Sequence, residues 1–153
     1  MKGEIAKFGQ VELSDVSSFY IYPDGKVISS TEYGTLLLWE GMFIKCLLRQ
    51  DEQLPCHQGP IEVIFRYEDK IVTAGADGYI RFWDANAIDM AEGDDNNFLN
   101  MIPEREIYLE TEKGVPASII HIAVSESQWI VQDTNGKWFC MDIKNDFSYT
   151  EIF

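Results

Sequence analysis

Hydrophobic positions along this chain come in short runs, each closed by a turn residue and followed by another run. One phrase recurs three times: a run, a turn, a second run, Gly, a third run, then an acid. It reads "FYIYPDGKVISSTEYGTLLLWE" at 19–40, "HQGPIEVIFRYEDKIVTAGADGYIRFWD" at 57–84 and "SIIHIAVSESQWIVQDTNGKWFCMD" at 118–142. The runs are β-branched and aromatic, which suits strands. Pro23-Asp24-Gly25 is a turn in which Pro presets one dihedral and Gly accepts positive φ, and Asp77-Gly78 and Asn135-Gly136 are hairpin signals. Several runs are apolar on both faces: Ile80 and Phe82 point one way, Tyr79 and Trp83 the other. The pattern predicts an all-β protein whose sheets are covered on both sides.

The repeats end near residues 40, 84 and 142. Trp39 and Trp83 are 44 residues apart, and Met141 follows Trp83 by 58, an excess of 14. That excess falls in "ANAIDMAEGDDNNFLNMIPERE" (85–106), an acidic insertion that lacks strand alternation and is rich in acids and amides, with "EGDDNN" (92–97) expected to be a solvated loop. Residues 85–112 carry eight acids and one Arg, so half of the net charge of −14 sits there. Asp89, Glu92, Asp94 and Asp95 are the candidate partner-binding residues of this loop, because long charged loops in compact domains are usually functional or disordered. A surplus of 26 acids over 12 bases repels nucleic acid and anionic lipid, and favours a protein partner with a basic surface.

Composition narrows the class further. At 46% hydrophobic and 13% aromatic, the chain has the apolar content of a folded protein. No run approaches the roughly 20 residues of a membrane span, and the N-terminus lacks a signal-peptide h-region, so an intracellular protein is expected. Three cysteines without C-x-x-C spacing suit reduced thiols.

The middle repeat resembles a blade of the WD-repeat family, to whose buried polar brace it matches position by position. That resemblance implies a His before the first strand, a Ser or Thr in the second, an Asp in the turn and a Trp ending the third: His57, Thr73, Asp77 and Trp83. The chemistry fits bracing, since a buried carboxylate must accept hydrogen bonds and a buried imidazole must use both nitrogens. In the first and third repeats the Asp position holds Tyr33 and Asn135 and no His precedes, so a degenerate network is expected there. A propeller needs about 4 to 8 blades. Residues 1–153 are therefore expected to form about three WD40-type blades, an incomplete arc of a larger β-propeller. "GEIAKFG" reads as the outer strand of a preceding blade and "FSYTEIF" as that of the last.

Other chemistry is weak. Cys56, His57, His121 and Cys140 lack the paired spacing of a zinc site, and "EGDDNN" (92–97) lacks the order of a Ca²⁺ loop. P-loop, nucleophile-elbow and H-E-x-x-H motifs are absent. His121 in "SIIHIAV" reads as a core or interblade histidine, and Cys46 as a small buried hydrophobe. No catalytic residue, metal, cofactor or small-molecule substrate is expected.

A narrower resemblance rests on "YGTLLLWEG" (33–41), "FIKCLL" (43–48) and "PCHQGPIEV" (55–63), which are similar to the cilia- and flagella-associated protein 44 family. It implies a non-enzymatic interaction scaffold in the axoneme of a cilium or flagellum. Such a scaffold tethers inner-arm dynein motor heads to doublet microtubules and supports ciliary motility, with dynein-associated proteins and the remaining blades of the parent chain as partners. The alternative is a WD-repeat adaptor of another complex, such as a ubiquitin-ligase substrate receptor. Those receptors often carry Arg two residues after the Asp of a W-D-x-R box, where this chain has Asn86.

Overall fold

The computed structural model describes residues 2–5, 9–12 and 16–152. Its first strands are β1 (Lys2–Ile5), β2 (Gly9–Glu12), β3 (Val16–Ile21), β4 (Val27–Thr31), β5 (Leu36–Glu40) and β6 (Phe43–Arg49). Next come β7 (Ile61–Tyr67), β8 (Lys70–Gly75) and β9 (Tyr79–Asp84), then helix α1 (Ala85–Asp89), β10 (Phe98–Asn100) and β11 (Arg105–Tyr108). A small hairpin, β12 (Glu110–Glu112) and β13 (Val115–Pro116), leads into β14 (Ile119–Val124), β15 (Gln128–Asp133), β16 (Trp138–Asp142) and β17 (Ser148–Glu151).

Three antiparallel four-strand units result: β3-β4-β5-β6, β7-β8-β9-β11 and β14-β15-β16-β17. Their first strands lie side by side, with Ser18 and Phe19 of β3, Glu62 to Arg66 of β7 and Ile120 to Val124 of β14 lining one groove of about 560 Å³. Three sheets radiating from a shared groove, each with its first strand innermost, are the blades of a propeller. The segment 148–151 is the outer strand of the last sheet, paired with β16.

Both faces of the middle sheet are covered, as its double-sided apolar pattern requires. Ile71 and Trp83 join Ile28, Leu36, Leu38, Cys46 and Leu48 in the core between the first and second sheets. Val72, Ala74, Ile80 and Phe82 face the other way, into a core with Leu109, Ile119, Trp129, Val131 and Met141. Burying such side chains stabilises by about 1.5–3 kcal/mol each. The blades also touch through backbone. His57 N–H donates to the Gly34 carbonyl at 3.1 Å, and Leu109 N–H donates to the Gly78 carbonyl at 2.9 Å, 44 residues on from Gly34. Gly34 has φ +86°, and a Cβ there would overlap the His57 carbonyl, so only glycine allows this approach.

Three expectations are corrected. First, the described part of "GEIAKFG" does not belong to a preceding blade: β1 adds parallel to the outer edge of β6, pairing Glu4 with Phe43 and Ile5 with Ile44. Residues 6–8 of that stretch lie outside the described residues. The free hydrogen-bonding row of β6 is what recruits it. Second, His121 is exposed and faces the groove, because β14 is bulged between Ile119 and His121 and the extra residue turns the following side chains over.

Third, the insertion 85–106 is ordered by apolar contacts. Asp84 caps α1 through its side chain, accepting from the backbone N–H groups of Asn86 and Ala87, and Ala85, Ile88 and Ala91 enter the core between the first two sheets. Leu99 and Met101 pack against the same core. β10 pairs parallel with β6 of the first sheet, Phe98 opposite Leu47 and Asn100 opposite Arg49. The apolar residues are legible only when the segment is split into a one-turn helix and a three-residue strand, each too short to show a period. Removing the buried side chain in Ile88→Ala is expected to lower unfolding free energy by about 2–4 kcal/mol in urea titration. A midpoint equal to wild type would return the segment to a solvated loop.

Candidate functional site

The structure brings His57, Thr73, Asp77 and Trp83 into one hydrogen-bonded chain, built from the loop before β7, from β8, from the β8–β9 turn and from the end of β9. Trp83 Nε1–H donates to Thr73 Oγ1 at 2.8 Å. Indole nitrogen only donates, so the Thr73 hydroxyl hydrogen is left for His57 Nε2, 2.7 Å away. His57 Nδ1 then carries its proton and donates it to Asp77 Oδ1 at 3.0 Å. Asp77 also accepts the backbone N–H groups of Gln58 and Tyr79, at 3.0 and 3.2 Å.

The hydroxyl–imidazole–carboxylate order is that of a hydrolytic triad, but its nucleophile position is closed. Thr73 is fully buried, His57 is 1% exposed, and the Thr73 oxygen is already held by the indole. This constellation ties a loop, a turn and two strands together by hydrogen bonds.

Arg81 is a member that the spacing argument missed. Its Nη1 donates to Asp77 Oδ2 at 3.1 Å and to the Cys56 carbonyl at 2.9 Å, and its guanidinium lies 4.2 Å from the Tyr79 ring centre. The signal was present: Arg81 shares the strand face of Trp83 in an otherwise apolar run, four residues after Asp77. A buried Arg requires a carboxylate, and Arg81 reaches two, Asp77 at 3.1 Å and Glu106 at 3.5 Å.

Burial alone raises the pKa of Asp77, but the hydrogen bonds from His57 and from the Gln58 and Tyr79 N–H groups outweigh it and hold the carboxyl at about 2. Burial pushes the Cys46 thiol up to about 11 and the Cys56 thiol up to about 12. Among the described residues, no three His, Cys, Asp or Glu side chains are grouped to hold a metal ion.

The neighbouring sheets keep less of the brace. In the first, Trp39 Nε1–H donates to Ser29 Oγ at 2.7 Å, the counterpart of the Trp83–Thr73 pair. In the third, the matching positions are Val131 and Met141, both buried, and Leu109 stands where His57 does. Packing replaces hydrogen bonding there: Trp129 is ringed by Phe65, Tyr67, Phe82 and Phe147, with ring centres 5.1–5.8 Å away.

The four acids of the insertion divide. Asp89 Oδ1 accepts from Lys26 Nζ at 2.7 Å, and Asp94 Oδ1 accepts the N–H groups of Asn96 and Phe98 at 2.8 and 3.0 Å. Both are thus committed to local structure. Glu92, 83% exposed, lies 3.5 Å from Lys45, and Asp95 is exposed on the same turn.

Radial sheets about a common groove and a His-Thr-Asp-Trp brace define a WD40-type β-propeller segment of about three blades. The crystal structure of the C-terminal WD40 domain of Sif2 superposes with a TM-score of 0.54 over 85% of this chain and 32% of that one, at 16% identity. In sequence, the chain is a WD-repeat segment that resembles the cilia- and flagella-associated protein 44 family. It is 36% identical to the Mus musculus protein of that name over 144 residues, 94% of this chain and 8% of the relative. It is 33% identical to the Trypanosoma brucei brucei protein over 156 residues, 89% of this chain and 9% of the relative. The chain thus spans less than a tenth of the length of these curated relatives, whose shared name supports a cilium or flagellum as its location. No family model matches the chain.

Asp77→Asn tests the brace. A carboxylate whose folded pKa lies below its unfolded value of about 3.9 contributes its full stability above that value, and loses it as pH falls toward about 2. Wild type is therefore expected to exceed Asp77→Asn by about 1–3 kcal/mol at pH 6 in urea, with the gap closing as pH drops through 4 toward 2. A gap that stays constant with pH would remove the carboxylate from the account.

Proposed function

We propose that this chain is part of a non-enzymatic protein-interaction scaffold of the ciliary or flagellar axoneme. Its partners carry basic surfaces, and it meets them on the rim formed by the insertion and the neighbouring turns. The charge of that rim supports the reading most directly. Four of its basic side chains are matched to acids: Lys26 to Asp24 and Asp89, Lys45 to Glu40 and Glu92, Lys70 to Asp69 and Glu104, and Arg105 to Asp146. Glu68, Asp95 and Glu126 add further exposed acids near them, so the rim carries a surplus of negative charge. A surface of this sign accelerates encounter with basic proteins and repels acidic ones.

In its finer form the proposal follows the family resemblance: the parent protein tethers inner-arm dynein motor heads to doublet microtubules and supports motility. The propeller segment then contacts dynein-associated proteins rather than tubulin, whose acidic surface this chain repels.

Because Asp89 and Asp94 hold the insertion together, the probe is Glu92→Gln with Asp95→Asn, which removes exposed charge and the surface Lys45–Glu92 pair, with urea midpoints as the control. In pull-downs from axonemal extract, recovery of basic partners is expected to fall several-fold at ~20 mM salt and little at ~150 mM, where charges more than about 8 Å apart are screened. Equal recovery at both salts, with unchanged urea midpoints, would take the insertion out of partner binding.

A further inference from the structure

Three segments converge on one part of the acidic rim, held together by two lysines. Lys26, from the β3–β4 turn, binds Asp24 and reaches across to Asp89 at the end of α1. Lys45 joins Glu40, beside the β5–β6 turn, to Glu92 of the insertion, each at 3.5 Å. Both lysines are largely covered, whereas Glu40 and Glu92 stand out in solvent. The same segments carry three large apolar side chains that are mostly uncovered: Met42 is 53% exposed, Phe43 60% and Met90 76%.

Strand register brings these side chains together. Lys45 is the extra residue of a bulge, since Leu38 pairs with Cys46 and Trp39 with Ile44. Glu40 and Phe43, the next pair, therefore lie on the sheet face of Leu38 and Cys46, one position on toward the rim. The insertion rests on that face, where a Cβ placed on Gly93 would fall 3.2 Å from Cys46 Cβ. Phe43 thus borders Glu92 and Gly93, with Met90 two residues before Glu92 and Met42 in the adjoining turn. Exposed apolar side chains scattered singly need no explanation, but these are gathered around acids.

The chemistry of the patch restricts what it can hold. β6 offers no open ladder beside it, because β1 pairs at Phe43 and Ile44 and β10 at Leu47 to Arg49, so a partner has to be gripped by side chains. The acids repel nucleic acid and anionic lipid. Methionine is unbranched and polarizable, and adapts to apolar partners of different shape. Apolar anchors bordered by acids complement an apolar stripe bordered by cations, which is the surface of a basic amphipathic helix.

We propose that Met42, Phe43 and Met90, with Glu40 and Glu92, form a docking patch for a basic amphipathic helix of a partner protein. The apolar stripe of that helix seats on the three side chains, and its flanking Lys or Arg residues pair with the two glutamates. This rests on the reading of the rim as a surface for basic partners, and names the element of the partner that it grips.

A labelled Leu/Lys peptide of about 14 residues, with Leu on one helical stripe, is the probe, and a peptide of the same composition with Leu spread around the helix is the control. By fluorescence anisotropy the striped peptide is expected to bind the 153-residue chain at least tenfold more tightly than the control. Met42→Ser with Met90→Ser is expected to abolish that preference and to leave the urea midpoint unchanged, since both side chains are exposed. In the chain carrying ¹³C-labelled methionine methyl groups, the Met42 and Met90 signals are expected to shift on titration. The signal of Met141, buried between the second and third sheets, is expected to stay.

Equal binding of the two peptides would retain charge attraction at the rim but overturn the apolar anchor. Binding of neither would overturn the patch together with the basic-partner reading. A striped peptide that leaves the Met42 and Met90 signals in place, or binds the double variant as tightly as wild type, would overturn the proposal by placing the site elsewhere. Should the double variant fail to fold, the methyl shifts of the wild-type chain still decide where the peptide sits.

Discussion

The arrangement depends on one residue that belongs to two blades at once. His57 gives its backbone N–H to the turn glycine of the first sheet, Gly34, and both nitrogens of its ring to the second, through Thr73 and Asp77. The backbone bond sets how closely the sheets approach, and the ring bonds set where the second sheet's turn and strands stand. Because both nitrogens are committed, the imidazole cannot rotate without leaving a buried donor or acceptor unpaired, a loss comparable to a core mutation. The apolar side chains between the sheets then pack into a gap whose width is already decided.

How a blade manages without this residue is visible one step along the chain. Leu109 repeats the backbone half of the contact, donating to Gly78, but has no ring to extend the bond inward. Its sheet substitutes Val131 and Met141 for Thr73 and Trp83, and gathers four aromatic rings around Trp129. Polar bracing supplies direction and aromatic packing supplies area, and the chain uses each at a different interface. The first sheet is intermediate, keeping the Trp39–Ser29 bond and discarding the carboxylate end.

Much of this was legible from residue types and spacing, because strand runs, hairpin glycines and the His-Thr-Asp-Trp intervals are local signals. The blade boundaries and the four-residue chain came from that level. What escaped has a common cause: it depends on contacts between segments distant in sequence. Arg81 has Asp77 four residues away, but the Cys56 carbonyl that it also binds comes from another segment. His121 looked buried because its neighbours are apolar, and only the bulge after Ile119 reverses its face. The insertion looked solvated because it gathers acids and amides and shows no strand alternation, although a few of its apolar residues, Ile88 above all, decide where it lies.

The return of β10 onto an earlier sheet has a consequence for how the protein is made. Residues 47–49 leave the ribosome long before their partners at 98–100, a lag of about fifty residues. At about 5–20 residues per second, that corresponds to roughly 3–10 s of synthesis. During this interval the first blade can complete its own antiparallel pairing while one edge stays bare, and that edge is able to pair with a neighbouring nascent chain on the same polysome. The parallel strand therefore marks a moment during translation at which holding chaperones have something definite to protect.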